Sequence, residues 1–246
     1  MWELDRAFGA IAEAGFKGME LMVTGDPDTQ SAEAPLRLAK QEGLEIVALH
    51  APMLLLTRRV WGPRFLPIIE RSVALAKELG AGVVVIHPPF LWELGYQAWM
   101  LGRLNSYRSE HRIRIAVENM FRFWLLDRAL PTYRWTSPKD LERFGEMTLD
   151  TSHCGVEEQD ILEELDRVGG QIAHVHLSDS RANHRDNHAF PASGVLPLDR
   201  FLKRLPETGF AGAVSLELDL RDLAGDRTAL VEALRMGRQF CEDHLG

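Results

Sequence analysis

Short runs of apolar and β-branched residues recur along the chain, and each carries a His, Asp or Glu at or near its C-terminal end. Helical stretches separate these runs, and such βαβα alternation indicates a parallel sheet. The continuous hydrophobicity of VVVI and IAHVHL is typical of strands that are buried on both faces. The seven runs are GMELMV with Glu20, EIVALH with His50, VVVIHPP with His87, IRIAVENM with Glu118, EMTLDTSH with Asp150 and His153, IAHVHLSD with His176 and AVSLELD with Glu217.

This alternation predicts one (β/α)8 TIM barrel over residues 1–246, because the length suits a single barrel and no Pro/Gly/Ser-rich linker divides the chain. Only seven strands are found, and none precedes the first helix, so we expect the barrel to lack its first strand or to have it truncated. The predicted helices are Leu4–Ala14, Ser31–Glu42, Pro63–Leu79, Trp92–His111, Pro138–Phe144, Gln159–Val168, Leu198–Leu205 and Asp226–His244.

The acidic and imidazole side chains at the strand ends predict a metal centre, since an α/β barrel builds its active site at the C-terminal ends of its strands. We expect Glu118, Asp150, His176 and Glu217 to converge on one divalent ion. Three carboxylates and one imidazole suit Mn²⁺, Mg²⁺, Co²⁺ or Zn²⁺. Glu118 and Glu217 would also form a catalytic pair that moves a proton from one carbon of a bound substrate to its neighbour.

Other polar residues after the strands are candidates for further metal ligands or substrate contacts. His50 and His87 follow two strands, and we expect both to face the site, as metal ligands or substrate contacts. His153, Asp186 and His188 predict a further metal site, with an ordinary polar loop as the competing interpretation. Three arginines could either contact substrate or carry solvated surface charge, and both interpretations stay open: Arg58, Arg59 and Arg181.

The segment from Phe121 to Trp135 is rich in aromatic residues and arginine, which predicts a lid, a substrate wall or a dimer contact. A homodimer is expected because this segment and the missing first strand would leave apolar surface and a sheet edge open.

Composition narrows the class of partner and the cellular location. The formal net charge of −8 disfavours nucleic acid as a partner, since phosphate binding usually requires a basic surface. No signal peptide or membrane-spanning run is evident, and the two cysteines indicate no disulfide framework. We therefore expect a cytoplasmic protein that does not bind membranes.

Four motifs in order along the chain, AVENM, LDTSH, HVHLSD and LELD, resemble the xylose-isomerase-like TIM-barrel superfamily. That superfamily includes sugar phosphate isomerases and epimerases, D-tagatose 3-epimerase-like enzymes and endonuclease IV. The resemblance implies a sugar, keto-sugar or sugar phosphate as substrate and one metal ion bound by the residues at Glu118, Asp150, His176 and Glu217. It also implies that the two glutamates transfer the proton through an enediolate.

The same resemblance leaves two alternatives open. Endonuclease IV cleaves abasic DNA with three zinc ions, and the chain matches its ligand types at His50, His87, Glu118, Asp150, His153, His176, Asp186, His188 and Glu217. A non-catalytic barrel that binds a small ligand is the other alternative. One departure affects the substrate: Phe190–Gly194 stands where the isomerases usually carry a Pro-Gly-x-Gly segment.

Overall fold

The computed structural model describes residues 4–54, 60–125 and 128–245. Within that part of the chain, strands and helices alternate as the sequence predicts. Two compact units are distinguished. The first comprises the described residues up to Ile86 together with Leu220–Gln239, and the second comprises His87–Asp219 together with the end of the last helix.

The first unit contains three parallel strands in the order β1–β2–β3, with helices between them. Helices α2 and α3 end at Gly43 and Gly80, whose positive φ angles of 69° and 74° are conformations that glycine adopts without steric cost. The elements are α1 (Leu4–Glu13), β1 (Gly18–Met22), a 3₁₀ turn (Pro27–Gln30), α2 (Glu33–Glu42), β2 (Glu45–His50), α3 (Phe65–Leu79) and β3 (Val83–Ile86).

The second unit contains four parallel strands in the order β4–β7–β8–β9 and one antiparallel pair, β5–β6. Its elements are α4 (Leu94–His111), β4 (Arg114–Glu118), β5 (Phe123–Leu125), β6 (Arg128–Leu130), α5 (Pro138–Leu141), β7 (Met147–Asp150), α6 (Thr151–Val156), α7 (Ile161–Val168), β8 (Ile172–Leu177), α8 (Leu198–Arg204) and β9 (Val214–Leu216). Helix α9 (Arg227–Leu245) begins in the first unit and ends in the second.

The apolar runs of the sequence form the parallel strands because these strands are buried. Every residue of β3, β7 and β8 is buried, as expected for strands that are covered on both faces. Asp150 and His176 are therefore polar side chains in buried strands, and each needs a polar partner to offset the cost of desolvation. They lie side by side, because β7 and β8 pair with Asp150 opposite His176.

The described residues contain the seven parallel strands that the sequence predicts. Helix α1 is the first element of the described residues, and seven parallel strands are found among residues 4–54, 60–125 and 128–245. Of the helices in these ranges, none combines the length and apolar character that a membrane span requires.

Two local differences from the sequence prediction bear on the site. The run EMTLDTSH is a strand only as far as Asp150, whose Oδ1 accepts a hydrogen bond from the His153 backbone N–H (2.9 Å) and thereby begins helix α6. In the aromatic segment after Glu118, β5 and β6 form an antiparallel pair in which Phe123 lies opposite Leu130.

Candidate metal centre

Four side chains of the second unit come together at the ends of its parallel strands. Glu118 is the last residue of β4, Asp150 the last of β7, and His176 the next-to-last of β8, while Glu217 directly follows β9. Each offers one possible ligand atom, and these four atoms all lie within 4.8 Å of one another. The structure therefore brings together the four residues that the sequence singled out as metal ligands.

The imidazole of His176 is surrounded by carboxylates. Its Nδ1 lies 3.0 Å from Glu217 Oε2, 3.2 Å from Glu118 Oε1 and 3.8 Å from Asp150 Oδ2. One ring nitrogen carries at most one proton, so it cannot satisfy three carboxylates at once. A divalent cation among these oxygens would offset their mutual repulsion, and the donor set suits such an ion.

The hydrogen bonds of Asp150 also indicate a bound cation. The residue is fully buried, and its Oδ1 accepts from Ser152 Oγ (3.0 Å) and from the His153 N–H. Its Oδ2 has no hydrogen-bond partner among the described residues. Burial raises the pKa of Asp150 to about 6, against the lowering influence of His153 and with further raising by the Glu217 carboxylate. These features fit a carboxylate whose free oxygen binds a cation.

The two glutamates of the group differ in exposure. The Glu118 side chain is 2% exposed, whereas that of Glu217 is 30% exposed. Burial alone would raise the pKa of Glu217, but the adjacent His176 outweighs burial and lowers it. Glu217 is thus the more accessible carboxylate, and its environment favours the ionised form.

His87 contacts the buried glutamate from the other side. Its Nε2 lies 3.0 Å from Glu118 Oε2, and its backbone carbonyl accepts a hydrogen bond from the Tyr96 hydroxyl (2.8 Å). Both oxygens of Glu118 therefore have an imidazole neighbour, His176 at Oε1 and His87 at Oε2.

A second cluster of the same unit consists of His153, Asp186 and His188. Asp186 Oδ2 lies 2.7 Å from His188 Nε2 and 3.4 Å from His153 Nε2. Burial lowers the pKa of His188, but Asp186 outweighs it and raises the pKa to about 9. Burial alone would raise the pKa of Asp186. The hydrogen bond and charge of His153, followed by those of His188, outweigh burial and lower this pKa well below its ordinary value.

Ser152 links the two clusters, a role that the sequence analysis missed. Its hydroxyl oxygen lies 3.0 Å from Asp150 Oδ1 and 2.8 Å from Asp186 Oδ1. Asn119 was also missed. It is fully buried directly after Glu118, and its side chain bonds to the backbone of Asp150. The sequence signal for both residues is their direct adjacency to predicted ligands.

The remaining predicted site residues have different positions. His50 ends β2 in the first unit, where its ring lies within 4.8 Å of a Glu20 carboxylate oxygen. Arg181 is exposed, and its backbone N–H donates to Asn187 Oδ1 (3.4 Å). Arg58 and Arg59 lie outside the described residues.

The aromatic segment after Glu118 contacts the second cluster and the end of α6. The Phe121 ring lies 4.7 Å from the His153 ring. Arg122 donates to the Glu157 carboxylate from its backbone N–H and from Nε, each over 2.7 Å. Trp124 stacks on His184 at a centroid distance of 3.8 Å. The wall, the lid and the dimer contact all stay predictions.

Solved structures similar to this chain share its fold at low sequence identity. The IolI protein with a bound zinc atom aligns with a TM-score of 0.75 at 17% identity, covering 99% of this chain and 94% of that one. A 3-keto-D-glucoside 4-epimerase from E. coli gives 0.71 at 17% identity, covering 97% and 96%. An AP endonuclease of family 2 from Brucella melitensis gives 0.67 at 19% identity, covering 92% and 94%. These likenesses agree with the predicted barrel.

Sequence comparison identifies the family. An uncharacterized protein of Mycobacterium leprae is 32% identical to this chain over 258 residues, with 96% of this chain and 92% of that protein covered. The family model described as a xylose isomerase-like TIM barrel matches residues 8–240, which confirms the predicted fold class. The chain therefore belongs to the xylose isomerase-like TIM barrel family.

Proposed function

We propose that this protein is a divalent-metal-dependent isomerase or epimerase of a small sugar, keto-sugar or sugar phosphate. The observation that carries the proposal is the group of four side chains, Glu118, Asp150, His176 and Glu217, whose ligand atoms lie within 4.8 Å of one another. The 3-keto-D-glucoside 4-epimerase and the zinc-containing protein among the similar solved structures support it as fold analogues.

These four residues would hold the cation, and the cation would polarise a carbonyl and an adjacent hydroxyl of the substrate, which makes the neighbouring C–H more acidic. One of Glu118 and Glu217 would remove the proton to give an enediolate of the substrate, and the other would return a proton, to the adjacent carbon in an isomerase or to the opposite face of the same carbon in an epimerase. A general base has to be ionised before it accepts a proton. The lowered pKa and partial exposure of Glu217 suit that role.

Glu118 has the complementary environment. It is buried between His176 and His87, which hold its two oxygens at 3.2 and 3.0 Å. A carboxylate fixed on both sides keeps one orientation toward the substrate, and a fixed orientation is what proton transfer at a defined carbon requires. His87 would itself lie beside the substrate oxygens.

The test is the exchange of a carbon-bound proton with solvent. Purified protein supplied with Mn²⁺ would be incubated in D₂O with a panel of aldoses, ketoses and their phosphates, and ¹H NMR would follow deuterium incorporation at carbon. We expect incorporation by the wild type and a loss of about a thousandfold in Glu118→Gln and in Glu217→Gln. Glu163→Gln, at an exposed position in α7, is the matched control and keeps full activity.

Near-normal exchange in either site variant would overturn the proposed acid–base pair. Ligand-dependent thermal stabilisation without exchange of any carbon-bound proton would instead favour a non-catalytic barrel that binds a small ligand.

A zinc-dependent phosphodiesterase acting on abasic DNA is the second candidate. The cluster of His153, Asp186 and His188 favours it, because this cluster could hold a further ion beside the first group. Incision of abasic-site DNA by zinc-loaded protein, lost in His188→Ala, would establish this activity. No incision with zinc fully loaded would exclude it.

A further inference from the structure

Asn119 connects the ends of β4 and β7 at the point where their backbone pairing stops. The last paired residues are Glu118 and Thr148, and the Asn119 backbone N–H donates to the Thr148 carbonyl at 3.3 Å. Beyond that point the Asn119 side chain continues the connection. Its Oδ1 accepts from the Asp150 N–H at 2.7 Å, and its Nδ2 donates to the Asp150 carbonyl at 3.0 Å. A side-chain amide thus pairs with both backbone groups of Asp150.

The backbone carbonyl of Asn119 orients a second side chain. It lies 2.7 Å from Nδ1 of His153, and a carbonyl oxygen can only accept, so Nδ1 carries a proton and donates it to this carbonyl. The opposite nitrogen, Nε2, then faces Asp186 and Asp150, at 3.4 and 3.7 Å from their Oδ2 atoms. One residue therefore fixes the orientation of the His153 ring and the direction in which its Nε2 points.

The Asn119 side chain cannot adopt another conformation without losing buried hydrogen bonds. It is fully buried, and its Nδ2 also lies 3.5 Å from Cys154 Sγ. A buried amide that loses such partners bears the cost of desolvation without compensation. In sequence, Asn119 directly follows Glu118, so the contacts that fix Asn119 also fix the backbone from which Glu118 projects.

We propose that Asn119 is a positioning residue that sets the geometry of Glu118, Asp150 and His153 relative to one another and thereby the affinity of the site for a divalent cation. The proposal rests on the proposed function only in taking Glu118 and Asp150 as ligands of that cation. Asn119 touches neither substrate nor cation in this account. It acts through the backbone of Asp150 and the ring of His153.

The test measures cation binding by the full chain, with Co²⁺ as the probe. Metal-free protein would be titrated with Co²⁺, and the visible absorption of the bound ion reports both affinity and coordination geometry. We expect Asn119→Ala to weaken binding by about 10–100-fold and to change the absorption spectrum, as found when groups that orient metal ligands are removed.

A control separates positioning from general destabilisation. Val168→Ala removes buried apolar volume from α7, outside both clusters, and should lower the melting temperature while leaving the Co²⁺ spectrum and affinity unchanged. All titrations would be made well below the melting temperature of each variant. Wild-type affinity and spectrum in folded Asn119→Ala would overturn the inference and leave the proposed function intact. Absence of Co²⁺ binding by the wild type would instead refute the cation site on which the inference depends.

Discussion

Glu118 Oε1 lies 3.2 Å from His176 Nδ1, although 58 residues separate the two in sequence. The contact exists because β4, β7 and β8 are neighbouring parallel strands whose C-terminal ends share one edge. Glu217 Oε2 approaches the same nitrogen at 3.0 Å. Two carboxylates that converge on a single imidazole nitrogen repel each other, and a bound cation would offset that repulsion.

Helix α6 packs so closely that one of its residues has to be glycine. A Cβ at Gly155 would lie 2.3 Å from Ser180 Cβ, which forces a shift of the helix that carries His153. We expect Gly155→Ala to destabilise the fold by about 1–3 kcal/mol, as overpacking in a buried region does, and to reduce activity. Urea unfolding measures the first effect. Gly102→Ala, within α4 and with open space around the new Cβ, should be neutral or stabilising. Equal stability of the two variants would show that the packing at Gly155 is not restrictive.

The pair of Arg122 and Glu157 holds the start of the antiparallel strands. The Glu157 side chain is 6% exposed, so removal of the guanidinium leaves a buried carboxylate that keeps the backbone N–H of residue 122 but loses its opposite charge. We expect Arg122→Ala to increase hydrogen exchange in β5 and β6 by about tenfold, equivalent to about 1.4 kcal/mol. Arg103→Ala removes an ion pair whose two side chains are more than half exposed, and it should leave exchange in these strands unchanged. Unchanged hydrogen exchange in Arg122→Ala would show that the Arg122–Glu157 pair does not hold these strands.

Sequence reasoning located the four candidate ligands but not the residues that orient them. Glu118, Asp150, His176 and Glu217 each end an apolar run, and parallel strands bring such ends together whatever their exact register. The contacts of Ser152 depend on where α6 begins, and those of Asn119 depend on the pairing of β4 with β7. Neither feature leaves a periodic pattern in the sequence, because one side-chain hydrogen bond begins α6 and the register of β4 with β7 is a tertiary contact.

The pairing within the aromatic segment could not be predicted from the sequence either. Its composition predicts a wall or a lid, whereas the antiparallel pairing of Phe123 with Leu130 follows from tertiary contacts such as the Arg122–Glu157 pair. Two aromatic residues and a leucine in a row fit a buried strand equally well, yet the Phe123 side chain is 55% exposed.

The ion pair of Asp186 and His188 predicts a pH-dependent stability in the metal-free protein. The folded pKa of His188, about 9, exceeds the value near 6.5 of an unfolded histidine. Its contribution is therefore complete below about pH 6.5 and lost as the pH rises through about 9. Asp186 has a lowered pKa, so its contribution is present above about pH 4 and lost at lower pH.

We expect chelator-treated wild type to be more stable than His188→Gln at about pH 6, by about 3 kcal/mol at most. The difference should shrink toward about pH 10, where His188 has lost its proton in the folded state as well. Denaturant unfolding at several pH values provides the measurement, with Asn105→Gln, at an exposed position in α4, as the control. A stability difference that stays constant over this range would contradict the raised pKa.

Elemental analysis of the metal bound per chain tests the central claim most directly. Wild type, His176→Ala and His188→Ala would be purified without chelator, repleted with Mn²⁺ or Zn²⁺ and freed of unbound ions. We expect one divalent ion per chain in the wild type, its retention in His188→Ala and its loss in His176→Ala. Two or three zinc ions per chain in the wild type would favour the zinc-dependent phosphodiesterase over the isomerase or epimerase. No bound ion in repleted wild type would contradict a metal centre formed by Glu118, Asp150, His176 and Glu217.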